Sequence, residues 1–295
     1  MRYIYQYPDA HGRASDMLDS GDVATLAQAA DAAGWDGFAF TEHPAPGARW
    51  LDNGGHQTLD PFVALGHVAA VTTRLRLFTY LSVVPYRNPL LLAKSAATVD
   101  RLSKGRLTLG VGTGYLKSEF FALGVDFDER NELFDETMEV LALHWKGEPF
   151  SYRGRHFDAR DVVALPRPAQ DPIPIWIGGN SQRTLRRVAE GAQGWMPLTG
   201  PPEVSGTSRT AHLASLADVA ASMAKIRDLA GSRPIDLSVA YADRSIWAPE
   251  TDTERHRDAL GALETIGANW VIVSGPGGSP DASLAFIQAF PRLFA

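Results

Sequence analysis

Short apolar runs of β-forming residues alternate along this chain with longer stretches whose apolar positions recur at helical spacing. "RYIYQY" (2–7) predicts a first strand. The stretch "DVATLAQAADAAG" predicts a helix with Val23, Leu26, Ala27, Ala30 and Ala33 on one face and Gly34 as its stop. "GFAFTEH" (37–43) reads as the second strand. Asp60-Pro61 then pairs an N-cap side chain with a proline whose missing N–H costs nothing in the first helical turn. "RLRLFTYLSVV" (74–84) reads as one continuous third strand, and Asn88-Pro89 repeats the cap-and-proline start for a helix to about Leu102. "RLTLGV" (106–111) is the fourth strand.

The next interval is longer. "DERNELFDETMEVLALHWKG" predicts a strong helix with Phe134, Met138, Leu141 and Trp145 on one face, and "EPFSYRGRHF" a small hairpin. "PIWIGG" (174–179), a helix from about Ser181 to Glu190 and "GWMPL" (194–198) follow. Residues 199–210, polar and proline-bearing without periodicity, read as a loop. Leu216, Val219, Ala220, Met223 and Leu229 mark the next helical face. "IDLSVAY", "TERHRDALGALETIG", "NWVIVSG" and "SLAFIQAF" close the pattern as strand, helix, strand, helix. Eight β/α pairs with no linker before residue 198 predict an α/β chain folded as a single (β/α)8 TIM barrel over residues 1–295, with an excursion between strands 4 and 5.

That count decides how the glycines at 110, 112 and 114 are read. A doubly wound dinucleotide fold carries G-x-G-x-x-G in its first βα turn; here the spacing is G-x-G-x-G and it follows the fourth strand. Composition removes other classes. A net charge of −6 argues against a nucleic-acid partner and against a polybasic membrane anchor, and no apolar run reaches the ~18 residues of a membrane span. With no cysteine there is no disulfide or thiolate metal site, and the opening "MRYIYQYPDAHG" lacks an apolar secretory segment, so a cytoplasmic enzyme is expected.

In such a barrel the chemistry gathers where the strands end. Those ends are Thr41-Glu42-His43, Leu81-Ser82, Gly112-Thr113-Gly114, Gly178-Gly179-Asn180-Ser181, Met196-Pro197 and Ser274-Gly275. Gly178 to Ser181 reads as a phosphate seat, glycines letting N–H groups approach an anion before a helix N-terminus, or equally as a tight turn with an ordinary Asn or Ser cap. Gly112 to Gly114 offers a backbone surface to a flat ring, or merely relieves crowding at the barrel mouth. His43 is the best single catalytic candidate, a proton-exchanging side chain on the rim, against an equal prospect of a packing role. Of the other histidines, His67, His212 and His256 fall in predicted helices, His144 and His156 in the excursion, and His11 and His56 in loops that can reach the rim. Trp50 could wall a flat-ring pocket. No H-x-x-x-H pair or carboxylate cluster supports a metal, and no G-x-S-x-G elbow supports a hydrolase.

From Tyr86 to Leu198 the chain resembles the luciferase-like family of flavin- and deazaflavin-dependent oxidoreductases. "PYRNPLLLAKSAATVDRLSKGRLTLGVGTGYLKSEFFALGVDFDERNELFDE", "LHWKGEPFSYRGRHF" and "LPRPAQDPIPIWIGGNSQRTLRRVAEGAQGWMPL" carry the resemblance, with "AAGWDGFAFTEH" a weaker match upstream. The resemblance implies a planar cofactor ring at the strand ends, set against strand three (Leu81, Ser82) and Gly112-Thr113-Gly114. It implies a cofactor phosphate at Gly178, Gly179, Asn180 and Ser181, and a catalytic His43. It also implies a non-prolyl cis peptide between Thr79 and Val83, and a chain that is often a homodimer. "YRNPLLLAK…DRLSKGR" with "IWIGGNS" is most similar to the coenzyme F420-dependent branch. That branch implies hydride transfer between F420 and a small-molecule substrate. An FMN-dependent monooxygenase using oxygen is the alternative, and a non-catalytic flavin-binding barrel the second. One departure stands out. Sugar-phosphate dehydrogenases of this branch carry a glutamate just after the glycine-rich turn, where this chain has Tyr115; Glu119 lies one helical turn on.

Overall fold

The computed structural model describes residues 1–295. Eight parallel strands form a closed ring: β1 (Arg2–Gln6), β2 (Gly37–Phe40), β3 (Arg76–Thr79), β4 (Leu107–Gly112), β5 (Ile175–Gly178), β6 (Gly194–Met196), β7 (Asp236–Tyr241) and β8 (Trp270–Ser274). Each pairs with its neighbour in chain order, and β8 pairs with β1 through Tyr3 opposite Val271, which completes the barrel.

The connecting helices are α1 (Val23–Ala33), α2 (Pro61–Val71), α3 (Pro89–Leu102), α4 (Arg130–His144), α5 (Gln182–Gly191), α6 (Leu216–Ala230), α7 (Thr253–Thr265) and α8 (Pro280–Phe294). Their starts are set by local chemistry. Asp60 accepts hydrogen bonds from the N–H groups of Phe62 and Val63 before Pro61 opens α2, and Asn88 accepts from Leu90 N–H before Pro89 opens α3. Strand alternation then divides the apolar residues into two layers. Outward side chains such as Tyr3, Tyr5 and Leu77 meet the helices in the main core, while Ile4, Ala39, Phe78, Trp176, Met196, Trp270 and Ile272 fill the barrel interior.

Four details differ from the sequence reading. Residues 74–84 are not one strand: β3 stops at Thr79 and Ser82–Val83 resumes pairing with Val111 and Gly112, whereas the cis peptide expected between Thr79 and Val83 is present, at Tyr80-Leu81. Residues 199–210 contain a short helix, Pro202–Thr207, begun by tandem prolines. His212 lies in the connection after that helix, not within one. Leu229 is exposed, because the apolar face of α6 is carried by Val219, Met223 and Ile226. The excursion between β4 and β5 holds α4 and a hairpin of Phe150–Arg153 with Asp158–Val162.

Candidate active site

The C-terminal strand ends surround one cavity of about 360 Å³. Thr41, Glu42, His43 and His56 line one side, Tyr80, Leu81 and Val83 another, and Gly112 to Tyr115 a third. Gly178, Gly179, Ser181 and Thr184 close it together with Met196 to Leu198 and the connection at Ser208 to Thr210. The elements that converge here come from most of the chain's length, as a barrel mouth requires.

The glycines have a packing reason. A Cβ on Gly178 would run into Cδ2 of Leu81, and one on Gly112 would meet Leu81 Cδ1 at 2.6 Å. Leu81, displaced inward where β3 breaks off, therefore nests between two glycine-bearing strand ends. Within the G-x-G-x-G run Gly112 serves this approach, while Gly110 clears the Thr79 carbonyl and Gly114 clears Val83 and Phe120.

His43 sits in a defined frame. Its Nδ1 is 2.9 Å from Oε2 of Glu119, and its side chain is 9% exposed against 0% for Glu119. Glu119 also accepts hydrogen bonds from the Tyr86 hydroxyl at 2.9 Å and from Ala45 N–H at 3.1 Å. Burial first, then the Glu119 charge, pushes the Tyr86 pKa far up, so its hydroxyl stays protonated and can donate. A carboxylate facing these donors takes its third hydrogen bond from Nδ1–H of His43, which leaves Nε2 as the lone-pair nitrogen. The Tyr115 hydroxyl lies 3.3 Å from that Nε2. Burial, then Glu119 and Asp9, raise the Tyr115 pKa to about 12, so Tyr115 too is a donor near neutral pH. The imidazole is thus held in one tautomer, with its basic nitrogen at the cavity wall.

Neighbouring groups hold the ring from the sides. His43 N–H donates to Thr58 Oγ1 at 2.8 Å. The imidazole packs at 4.6 Å on Trp50 and at 5.0 Å on His56. Trp50 belongs to the short helix Ala48–Asp52 and supports His43 from behind; it is not among the cavity-lining residues. Burial lowers the His56 pKa, with Asp9 opposing, so His56 is neutral beside His43. Next to His43 in the chain, burial raises the Glu42 carboxyl against the pull of Arg87, 2.7 Å away, and of Val83 N–H.

The predicted residues divide cleanly. His43, Leu81, Gly112, Thr113, Gly114, Gly178, Gly179 and Ser181 all line the cavity. Ser82 and Asn180 do not. Ser82 is fully buried with its hydroxyl on Glu42 Oε2, so it braces that carboxylate. Asn180 is 3% exposed, donates to the carbonyls of Leu198 and Ala211 and accepts from Leu198 N–H, so its side chain ties the β5–α5 connection to both ends of the β6–α6 connection. Ser181 caps α5 by accepting from Thr184 N–H, and its hydroxyl lies 2.9 Å from Thr184 Oγ1. Two hydroxyls and a helix N-terminus therefore face the cavity together.

A luciferase-like monooxygenase family model matches residues 4–267. The chain belongs to this family. An uncharacterized protein of Mycobacterium tuberculosis is 36% identical over 164 residues, covering 55% of this chain and 57% of that one. The F420-dependent glucose-6-phosphate dehydrogenase of Nakamurella multipartita is 31% identical over 191 residues, 63% and 54% of the two chains. The chain thus spans little more than half the length of these curated relatives. Among solved structures, the monooxygenase RslO1 from Streptomyces bottropensis superposes with a TM-score of 0.79 at 21% identity, over 99% of this chain and 98% of that one. An F420-dependent secondary alcohol dehydrogenase in complex with an F420–acetone adduct gives 0.75 at 15%, over 99% and 98%. The oxygenating constituent of a Pseudomonas putida 3,6-diketocamphane monooxygenase in complex with FMN gives 0.72 at 15%, over 100% and 98%. These structures share the barrel.

In this luciferase-like barrel the sequence reading missed what orients His43. Glu119 is 76 residues away, and Tyr115 registered only as a departure from a dehydrogenase pattern. Arg130, Arg209 and Thr210 also reach the cavity from segments without a motif.

Proposed function

We propose that this protein is an oxidoreductase that moves a hydride between the deazaflavin coenzyme F420 and a small organic substrate, with His43 exchanging the accompanying proton. The observation that carries this reading is the buried Glu119–His43–Tyr115 relay, which ends with Nε2 at the cavity wall.

The residues present fit a flat ring with an anionic tail. Gly112 and Gly178 leave backbone and the Leu81 side chain as an apolar surface at the mouth, and the hydroxyls of Ser181, Thr184 and Thr210 lie with Arg130 and Arg209 around the same cavity. When bound there, the deazaflavin supplies a ring that gives or accepts two electrons as hydride.

The protein's part is positioning and proton transfer. Ser181, Thr184 and the start of α5 would hold the phosphate, and Leu81 would support the ring. For a substrate hydroxyl being oxidised to a carbonyl, His43 Nε2 takes the O–H proton as the C–H hydride leaves. The imidazolium so formed is stabilised by the Glu119 carboxylate at Nδ1. In the reverse direction His43 returns the proton to the carbonyl oxygen. Tyr115, donating to the same region, helps orient that oxygen.

The relative from Nakamurella supports F420. An FMN-dependent monooxygenase is the second reading, in line with the FMN-bound diketocamphane monooxygenase that shares the barrel. Fluorescence titration of the purified protein with F420 and with FMN tests the choice. Anaerobic incubation of the bound cofactor with a panel of small alcohols follows. Tight F420 binding with bleaching by an alcohol is expected. Stoichiometric FMN with oxygen-dependent turnover reverses the ranking.

A further inference from the structure

Phe127 lies just beyond the cavity, 5% exposed, and three cations converge on its ring: the Arg130 guanidinium at 3.9 Å from the centroid, Lys117 Nζ at 4.9 Å and the Arg209 guanidinium at 5.3 Å. None of the three belongs to an ion pair. Burial, and also the neighbouring Arg209 charge, lower the Arg130 pKa, with Asp128 opposing, as expected where like charges crowd. An aromatic face partly offsets that repulsion. It does not neutralise it.

The cluster adjoins the phosphate seat. Arg130 and Arg209 both line the cavity beside Ser181 and Thr184. Glu132 and Asp135 in α4 bridge to Arg183, and Asp135 also to Arg187, so the N-terminal turns of α4 and α5 lie together. Lys117 comes from the helix Lys117–Ala122 that also carries Glu119. Arg130 and Arg209 thus share the cavity with the Ser181 seat, and Phe127 joins Lys117 to them.

We propose that Lys117, Arg130 and Arg209 form a second anion subsite, which takes the acidic side chain of the cofactor beyond its phosphate. This rests on the cofactor reading above and deepens it. A tail with carboxylates past the phosphate engages all three cations, whereas the single phosphate of FMN ends at the first seat. The subsite would thus select a polyanionic deazaflavin over FMN through charge at a distance from the ring.

The test is a fluorescence titration of F420 and FMN against wild type, K117Q, R209Q, R130K and the combination of K117Q with R209Q, each across a range of salt concentrations. Each neutralising substitution should weaken F420 binding by roughly two- to fivefold, the upper part of the range for a partly exposed charge pair, and flatten its salt dependence. R130K, which keeps the charge but loses the planar contact with Phe127, should weaken F420 binding less than the neutralising substitutions, and FMN affinity should change little. Wild-type F420 affinity and salt slope in the double variant would overturn the subsite and leave the cofactor reading standing. Equal weakening of FMN would overturn it too, as general damage to the pocket. If wild type binds neither cofactor, the functional reading itself fails. Thermal melts confirm that each variant is folded, and K117Q, at an exposed helical position, provides the arm that disturbs packing least.

Discussion

His43 Nδ1 stands 2.9 Å from Oε2 of Glu119, a carboxylate with no exposed surface. A buried carboxylate is costly unless every lone pair is used, and this one is used by an imidazole, a phenol and a backbone N–H. The arrangement fixes which nitrogen of His43 is basic. It also makes Glu119 a positioning residue, acting on the reaction only through the ring it holds.

Replacing Glu119 with glutamine keeps the shape but turns one of its acceptors into a donor facing other donors. A hydrogen bond to a charged group is worth about 1.5–3 kcal/mol, so turnover should fall roughly ten- to hundredfold in kcat with little change in KM. The pH–rate profile should shift at the same time. A lower melting temperature with an unchanged profile would assign Glu119 to packing alone.

Ser181→Asp separates the two readings of the α5 start. Asp caps as well as Ser, so the melting temperature should stay close to wild type. A new carboxylate about 4 Å from a bound phosphate repels it by about 4 kcal/mol in a near-surface dielectric, enough to weaken cofactor binding roughly a hundredfold or more. Unchanged affinity would remove the phosphate from this seat. Gly179 suits this test poorly, because its φ of 109° strains any other residue.

Gly178→Ala places a methyl against Leu81 and should cost about 1–3 kcal/mol of stability. Leu81→Ala made in the same chain should recover much of that loss. Denaturant midpoints of the two single variants and the double variant measure the coupling. Strict additivity would contradict the nesting of Leu81 between Gly112 and Gly178.

The hairpin of the excursion is clasped to α4 by His156, whose Nδ1 and Nε2 lie 3.0 Å and 2.6 Å from Glu136 and Glu129. Burial opposes the charged imidazole, but the two carboxylates outweigh it and raise its pKa; Glu136 is in turn lowered by its hydrogen bonds from His156 and Arg155. A raised histidine contributes stability that is full below its unfolded pKa of about 6.5 and lost as pH rises through the higher folded value. A lowered glutamate contributes stability present above about 4.5 and lost as pH falls through its folded value. Protection of the hairpin amides from hydrogen exchange should therefore be greatest at mildly acidic pH and decline above neutrality. H156Q should abolish that decline. A flat profile in wild type would show that the clasp adds nothing.

Much of the fold was legible because local signals agreed. Asp60-Pro61 and Asn88-Pro89 fix helix starts by chemistry confined to a few residues, and strand periodicity needs no distant partner. The breaks came where tertiary demands override the local pattern. Residues 74–84 look like one strand because each is β-prone, but the nesting of Leu81 requires the chain to leave the sheet at Thr79. The site was legible where the barrel itself dictates position, as for His43 and Gly178. Ser82 and Asn180 sit at the right strand ends, yet their side chains turn to Glu42 and to the carbonyls of Leu198 and Ala211, a choice no spacing reveals. Glu119 stayed hidden because its meaning depends on a contact 76 residues away.

The most direct test of the account is the single-turnover rate of hydride transfer in His43→Gln, measured with saturating cofactor and the best alcohol from the panel. Glutamine keeps a polar side chain but cannot carry a proton. The variant should fold normally and keep near-normal cofactor affinity, with the rate lowered roughly 10²- to 10⁴-fold. A variant that turns over at the wild-type rate per folded molecule, with only its melting temperature reduced, would contradict it.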